Sequence, residues 1–527
     1  MRRFFGAAIV ASLMGASPIV HAATPADTLV VAWQFDDILS VDPAEVFEFS
    51  SAELMGNTYE PLISYDPENV ANIYGKVAES WTVSEDGKTF TFKIRQGKKF
   101  ASGNPITAED VVYSLQRAVI LDKSPAFIIG QFGMNKANVK DKIKQTGPYE
   151  LTFEVDKPYA PTFVLYCLTA NVAMVVDKKL LAQHEKDGDF GYNWLKTNYA
   201  GSGPFKLKEW KPNEVVVLER NDNSEKKTPL SRVIYRMVKE TTTQRLLLEK
   251  GDIDIARNLS AEDIDSLEKS KNIAMSQGRK GTIWYLGLNQ KNPILAKPEV
   301  REAMKYLVDY QAIADTVLKH QVDLQQYFLP QGFLGALKDT PYKFDLVKAK
   351  ALLAKAGYPD GFTVTIEARS TPEYMGQVQA IQQSLAQAGI KLDIIPGDGK
   401  QILTKYRARK HDIVIYTWGA DYQDPNTNAD TFAANDDNSD EAAAKPLTWR
   451  NAWDPGPLTA MTREAVLERD PKKRAVLYET LQKAVNESGP FVFMFQKTEV
   501  WAKRNNVSGE IIGPSFDMNL VTQVKKN

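Results

Sequence analysis

The period of the hydrophobic positions changes repeatedly along the chain, and each period predicts an element. Phe90, Phe92 and Ile94 alternate with Thr89, Thr91, Lys93 and Arg95, the period of two expected of a half-buried strand. The Asp86-Gly87 step ahead of them, with Trp81-Thr82-Val83-Ser84 upstream, predicts a hairpin. Thr107-Ala108-Glu109-Asp110 then reads as a capping-box-like start, and Val111, Val112, Leu115 and Val119 mark one face of the helix behind it. Pro298 suits a first helical position before Val300, Ala303, Met304, Leu307 and Val308. Asp345 caps a helix through Leu346, Ala349, Leu352 and Leu353, ended by Gly357. Residues 374–388 form a further helix closed by Gly389, and Asp470-Pro471 opens one reaching about Val485. Strands are expected at 213–219, 232–238, 283–289, 362–368, 391–395 and 412–417, and a surface loop from Asn435 to Glu441. The mixture predicts an α/β (mixed α+β) chain and argues against a sandwich or a bundle.

Composition agrees and sets the scale. The chain has 527 residues, 43% hydrophobic and 25% charged, which is ordinary globular usage with room for two or three domains. Lys+Arg is 65 and Asp+Glu is 66, and no clustered basic face is present, so a nucleic-acid binder is disfavoured. Met1-Arg2-Arg3, the apolar stretch Phe4 to Val20 and the small residues around His21 read as a cleaved signal peptide over residues 1–22. No later segment is long and apolar enough to span a membrane. The expectation is an exported protein.

The chemistry-bearing residues mainly exclude. Cys167 is the single cysteine, so no intramolecular disulfide and no cysteine-based metal site forms, and the residue is expected to be a buried apolar one. His21, His184, His320 and His411 are scattered without an HExxH pair, and no metal site or cofactor is expected. Gly397-Asp398-Gly399-Lys400 lacks the spacing of a phosphate loop, and Gly201-Ser202-Gly203 fits no dinucleotide loop or nucleophile elbow. Asp424 to Asp430 resembles a calcium loop but has Ala429 where the turn needs Gly. Nothing points to catalysis. The tract Thr417-Trp418-Gly419-Ala420-Asp421-Tyr422-Gln423-Asp424-Pro425, just beyond a predicted strand, sits where α/β proteins hold ligands. Trp418 and Asp421 there read either as an apolar wall with an anchor for a cation or as a core Trp with a turn Asp.

Several of these segments together resemble the family 5 extracellular solute-binding proteins, the dipeptide- and oligopeptide-binding group. The resemblance is carried by Ala78-Glu-Ser-Trp81, Glu85 to Arg95, Lys99-Phe100 and Thr107 to Val112. Gly201-Ser-Gly-Pro-Phe205, Gly251-Asp-Ile-Asp254, Val300-Arg-Glu-Ala303 and Ala349 to Leu353 before Ala356-Gly-Tyr-Pro359 continue it, in the family's order. It implies the two-lobed periplasmic-binding-protein fold with an extra subdomain in lobe I. Lobe I would comprise residues 24–285 and 490–527, with the subdomain near 61–190, and lobe II residues 286–489.

The resemblance also implies a periplasmic receptor, a monomer that captures peptides between its lobes. It would deliver them to an ABC import complex of two permeases and two ATP-binding subunits and would catalyse nothing. By position Asp421 would pair with the ligand's α-amino group, with Trp418 beside it, and Arg369 with the α-carboxylate. The setting of Arg369, Ala368 to Pro372, shares little with relatives beyond the arginine. Within the same fold the cargo could instead be an opine, an oligosaccharide, or a haem or nickel complex. Trp33, Trp284, Trp418, Trp449 and Trp453 are the aromatic platforms a sugar would need. A secreted hydrolase is the alternative of a different class.

Overall fold

The computed structural model describes residues 24–527, and the expected signal peptide lies outside them. Strand β1 (Thr28–Trp33) is buried throughout. Leu29, Val31 and Trp33 fill one core and Val30 and Ala32 another, so it reads as a continuous apolar run. Helix α1 (Phe49–Thr58) follows. The predicted hairpin is β2 (Ala78–Val83) with β3 (Thr89–Ile94), and the predicted capped helix is α2 (Ala108–Leu121). The N–H and hydroxyl of Thr107 both donate to Asp110 Oδ2 at 2.9 Å. With β4 (Ile143–Gly147) and β5 (Glu150–Glu154) the hairpin makes a separate four-stranded antiparallel sheet, order β2-β3-β5-β4. Phe90, Phe92, Leu151 and Phe153 pack against Val111 and Leu115 of α2. Cys167 is fully buried in this core, where burial pushes its thiol well up and away from nucleophilic use.

Apart from three small two-stranded pairings, ten further strands join β1 in one large sheet. They are β6 (Phe205–Lys211), β7 (Val215–Arg220), β8 (Arg232–Met237), β9 (Ile255–Ala256), β10 (Ile273–Leu288), β11 (Val322–Leu324), β12 (Thr363–Arg369), β13 (Lys391–Gly397), β14 (Ile413–Gly419) and β15 (Phe491–Arg504). Together with β1 they make 11 strands in the order β13-β12-β14-β10-β15-β9-β1-β8-β7-β6, with β11 against β15. Helices α3 (Pro298–Tyr306), α4 (Leu346–Lys355) and α6 (Pro471–Ser488) start where the cap and proline signals place them, and α5 (Pro372–Ala386) begins two residues ahead of the expected 374. No helix among the described residues is long and apolar enough to cross a membrane.

Two long antiparallel strands, β10 and β15, hold the two lobes together. Ile273–Arg279 pairs with Arg504–Thr498, and Ile283–Gly287 pairs with Gln496–Phe491, with a register break between Arg279 and Ile283. Groups from outside the β10–β15 ladder take up backbone positions at the break. Gln496 Nε2 donates to the Lys280 carbonyl at 3.0 Å, Gly281 N–H donates to the Pro514 carbonyl at 2.7 Å, and Ala420 N–H donates to the Gly281 carbonyl at 3.0 Å. Beneath it lies a buried network of charges. Arg257 pairs with Glu53 at 2.6 Å and also with Glu499, and Lys280 reaches Glu499 at 3.3 Å and the Gly513 carbonyl at 2.7 Å. Two acids and two bases balance, so no charge is left without a partner.

The lobes also touch at their rims. Ala160 N–H donates to the Val466 carbonyl at 3.1 Å, and Tyr422 packs on Phe163 at 5.8 Å between ring centroids. On another rim, Asp265 meets Lys319 at 2.7 Å and His320 at 2.8 Å.

Candidate functional site

A cleft lies between the lobes at the register break, and Gly281 and Thr282 are part of its lining. One wall is lined by Val46, Phe47, Phe49, Ala52, Pro125, Ile128, Asn171 and the segment Pro514–Asp517, and the other by Gly419-Ala420-Asp421. The space between the walls is about 660 Å³, open solvent at the mouth included. Phe49, at the start of α1, stacks on Phe516 with centroids 4.2 Å apart. A Cβ at Gly419 would come 3.1 Å from the Phe49 ring, so glycine there permits the two walls to close together.

Asp421 is the sharpest feature. Strand β14 carries the chain to the cleft, and past its end the Asp421 N–H donates to Thr427 Oγ1 at 3.1 Å. Its carboxylate accepts no hydrogen bond and meets no basic group within 4.0 Å among the described residues, and burial alone pushes its pKa up to about 7. A carboxylate partly removed from water without a partner favours a cation that can donate hydrogen bonds to it. Asp424 is the opposite case. Arg474 grips it with two hydrogen bonds of 2.6 and 2.7 Å and reaches across to Thr162 Oγ1 at 3.4 Å. The calcium-like spacing is thus taken up by an ion pair at the lobe contact.

The three residues singled out from sequence are not brought into one cavity. Only Asp421 lines the cleft. Trp418 packs edge-to-face on Phe432 at 6.4 Å, and its indole N–H is buried without an acceptor. Arg369, the last residue of β12, lies against the rings of Tyr374 and Tyr416 at 5.7 and 5.6 Å. It pairs with no acid among the described residues, and its buried Nε–H has no acceptor. Trp33, Trp284, Trp449 and Trp453 are all buried in packing. Sequence reading missed Phe49, Asn171, Phe516 and Asp517, which sit in ordinary-looking segments with no motif to mark them.

Metal chemistry has one geometric candidate among the described residues, the trio Asp265, Glu268 and His320. Lys319 Nζ already sits 2.7 and 2.9 Å from the two oxygens of Asp265, so an ammonium holds the place a metal ion would take.

The sequence pattern of the bacterial extracellular solute-binding proteins, family 5 Middle, matches residues 72–440. The chain belongs to the family 5 extracellular solute-binding proteins. Among family members, the probable D,D-dipeptide-binding periplasmic protein of Escherichia coli K12 is 27% identical over 507 residues, covering 95% of this chain and 94% of the relative. The glutathione-binding protein of Escherichia coli O6:K15:H31 is 25% identical, covering 90% of each chain. The solved structure of a Helicobacter pylori periplasmic binding protein in complex with the peptide STSA aligns at a TM-score of 0.79 with 26% identity, covering 95% and 98% of the two chains. A binding protein of Agrobacterium tumefaciens in complex with agropinic acid aligns at 0.76 with 24% identity, covering 95% and 99%, and shares the fold. The two-lobed fold of periplasmic binding proteins, expected from sequence, is the one observed.

Proposed function

We propose that this protein is a periplasmic peptide receptor that closes its two lobes on di- or oligopeptides and presents them to an ABC importer. The observation that carries this reading is the Asp421 carboxylate, half-buried in the interlobe cleft with no partner of its own. A peptide α-ammonium supplies the three N–H donors and the charge that it lacks. The apolar walls at Val46, Phe49, Ile128 and Phe516 suit side chains taken out of water. Relatives named for dipeptides and glutathione, and a structural neighbour solved with a peptide, support the same cargo class.

In this reading the lobes divide at the register break, residues 24–280 with 498–527 against 283–496, and β10 and β15 are the hinge. Arg369, with no acid beside it, takes the cargo's carboxylate where a chain of sufficient length runs past the cleft lining, and Trp418 stiffens the strand end that presents Asp421. The receptor works as a monomer with two permeases and two ATP-binding subunits and turns nothing over.

The first test is mass spectrometry of the small molecules released when the purified protein is denatured. Short peptides are the expected result. An opine, a saccharide or a metal complex in their place would remove the peptide assignment and leave the fold untouched.

A further inference from the structure

The charges of the cleft do not balance. Of its lining residues only Asp421 and Asp517 carry formal charge, and both are negative. They come from opposite walls. Asp421 follows β14, whereas Asp517 belongs to the C-terminal segment packed on α1. That segment is firmly placed, since Phe516 stacks on Phe49 and a Cβ at Gly56 would lie 1.7 Å from the Asp517 carbonyl oxygen. Asn519, two residues on, donates to Glu53 at 2.9 Å and to Glu499 at 3.0 Å.

The Asp517 carboxylate has no ion-pair partner within 4.0 Å among the described residues. Burial raises its pKa, opposed by Ser515, its own N–H and the charge of Lys280. Lys280 is itself committed to Glu499 and to the Gly513 carbonyl. A third acceptor, Asn171 Oδ1, lines the same cleft, buried and without a donor. The lining therefore offers acceptors on both walls and no cation.

Building on the peptide reading above, we propose that the cargo carries a second cation besides its α-ammonium, a lysyl, ornithyl or arginyl side chain, and that Asp517 receives it. A desolvated cleft of this charge favours a doubly cationic guest and gives a neutral side chain nothing to pair with.

Calorimetry on protein stripped of cargo by denaturation and refolding tests this at pH 8, above the value of about 7 for Asp421. The probes are Lys-Ala against norleucyl-Ala and Ala-Lys against Ala-norleucine, pairs matched in chain length and differing in the terminal charge. At least one lysyl peptide is expected to bind about tenfold or more tightly than its partner. Asp517→Asn is expected to erase that preference while leaving the norleucyl affinity within about threefold. Asp517→Ser serves equally if the first variant does not fold. Equal binding of both members of each pair by the wild type would overturn the second-cation assignment and leave the peptide receptor standing, as would a preference that survives in the variants. Failure of all four peptides to bind would overturn both readings.

Discussion

Replacing Asp421 by asparagine should make the empty receptor more stable and the same receptor worse at its task. Burial lifts the Asp421 pKa to about 7 from an ordinary 3.8, and each pH unit of difference corresponds to about 1.4 kcal/mol. The folded value lies above the unfolded one, so the ionised carboxylate works against the fold above pH 7. The penalty fades as pH falls through 7 towards 3.8. Full burial would put it near 4 kcal/mol, and the partial solvent access Asp421 keeps at the cleft reduces that to about 1–3 kcal/mol. Thermal unfolding of cargo-stripped wild type and Asp421→Asn, at pH 8 and pH 4, reads this directly. The variant is expected to melt higher at pH 8, with most of the gain gone at pH 4. In the same protein, loss of the charge partner should weaken peptide binding by about 2–5 kcal/mol, roughly 30-fold to several-thousand-fold in Kd. A variant that melts at or below wild type at pH 8, or a gain that persists at pH 4, would refute the claim that Asp421 is an unpaired buried charge.

Three further outcomes follow from buried groups away from the cleft. Burial lowers the His411 pKa to about 4 from 6.5, against an opposing hydrogen bond to Asn451. Its share of the stability is complete above pH 6.5 and is lost as pH falls towards 4, about 3 kcal/mol in all. Urea denaturation across that window should show a flatter pH profile for His411→Gln, and an unchanged profile would exclude His411 as the source. Arg474→Met strands Asp424 in the core and should lower stability by about 3–5 kcal/mol, with much of the loss recovered by adding Asp424→Leu; a single variant of wild-type stability contradicts the pairing. Gly278→Ala would put a Cβ 2.0 Å from the Ile512 carbonyl oxygen, and displacement of that segment should cost about 1–3 kcal/mol. A neutral result in chemical denaturation would mean that the crossing strands yield freely there.

The ordinary elements were legible in the sequence because local and tertiary preferences agree in them. The hairpin turn at Asp86-Gly87, the Thr107 cap and the prolines opening α3 and α6 each solve a local problem that the fold leaves alone. The lobe crossing was only half legible. The strand expected at 283–289 is the upper part of β10, which begins at Ile273. Its lower part carries Ser276, Gln277, Gly278, Arg279, Lys280 and Gly281, residues that look like surface loop. Lys280 is fully buried there because Glu499 and Asn519 supply its partners, and Gly278 is needed for the close approach of Ile512. Both reasons lie more than 200 residues away in the chain. The Asn435 to Glu441 stretch is the expected loop, yet Asn435 itself is buried and donates to the Trp453 carbonyl at 2.9 Å. At the site, Asp421 stood out because a strand with a terminal Trp led to it. Asp517 depends on how the C-terminal segment folds back over α1, and no local pattern records that.

The register break between Arg279 and Ile283 also bears on how strongly any cargo is held. A receptor that binds in its closed form has an apparent affinity equal to the intrinsic one scaled by the fraction of molecules already closed. In the hinge reading proposed above, that fraction is governed by the two strands and the side chain that patches their gap, Gln496, which does not line the cleft. The joint therefore acts as a common gain setting. A change there multiplies the affinities for all cargos by the same factor and preserves their rank order, so selectivity and sensitivity can be tuned at different residues.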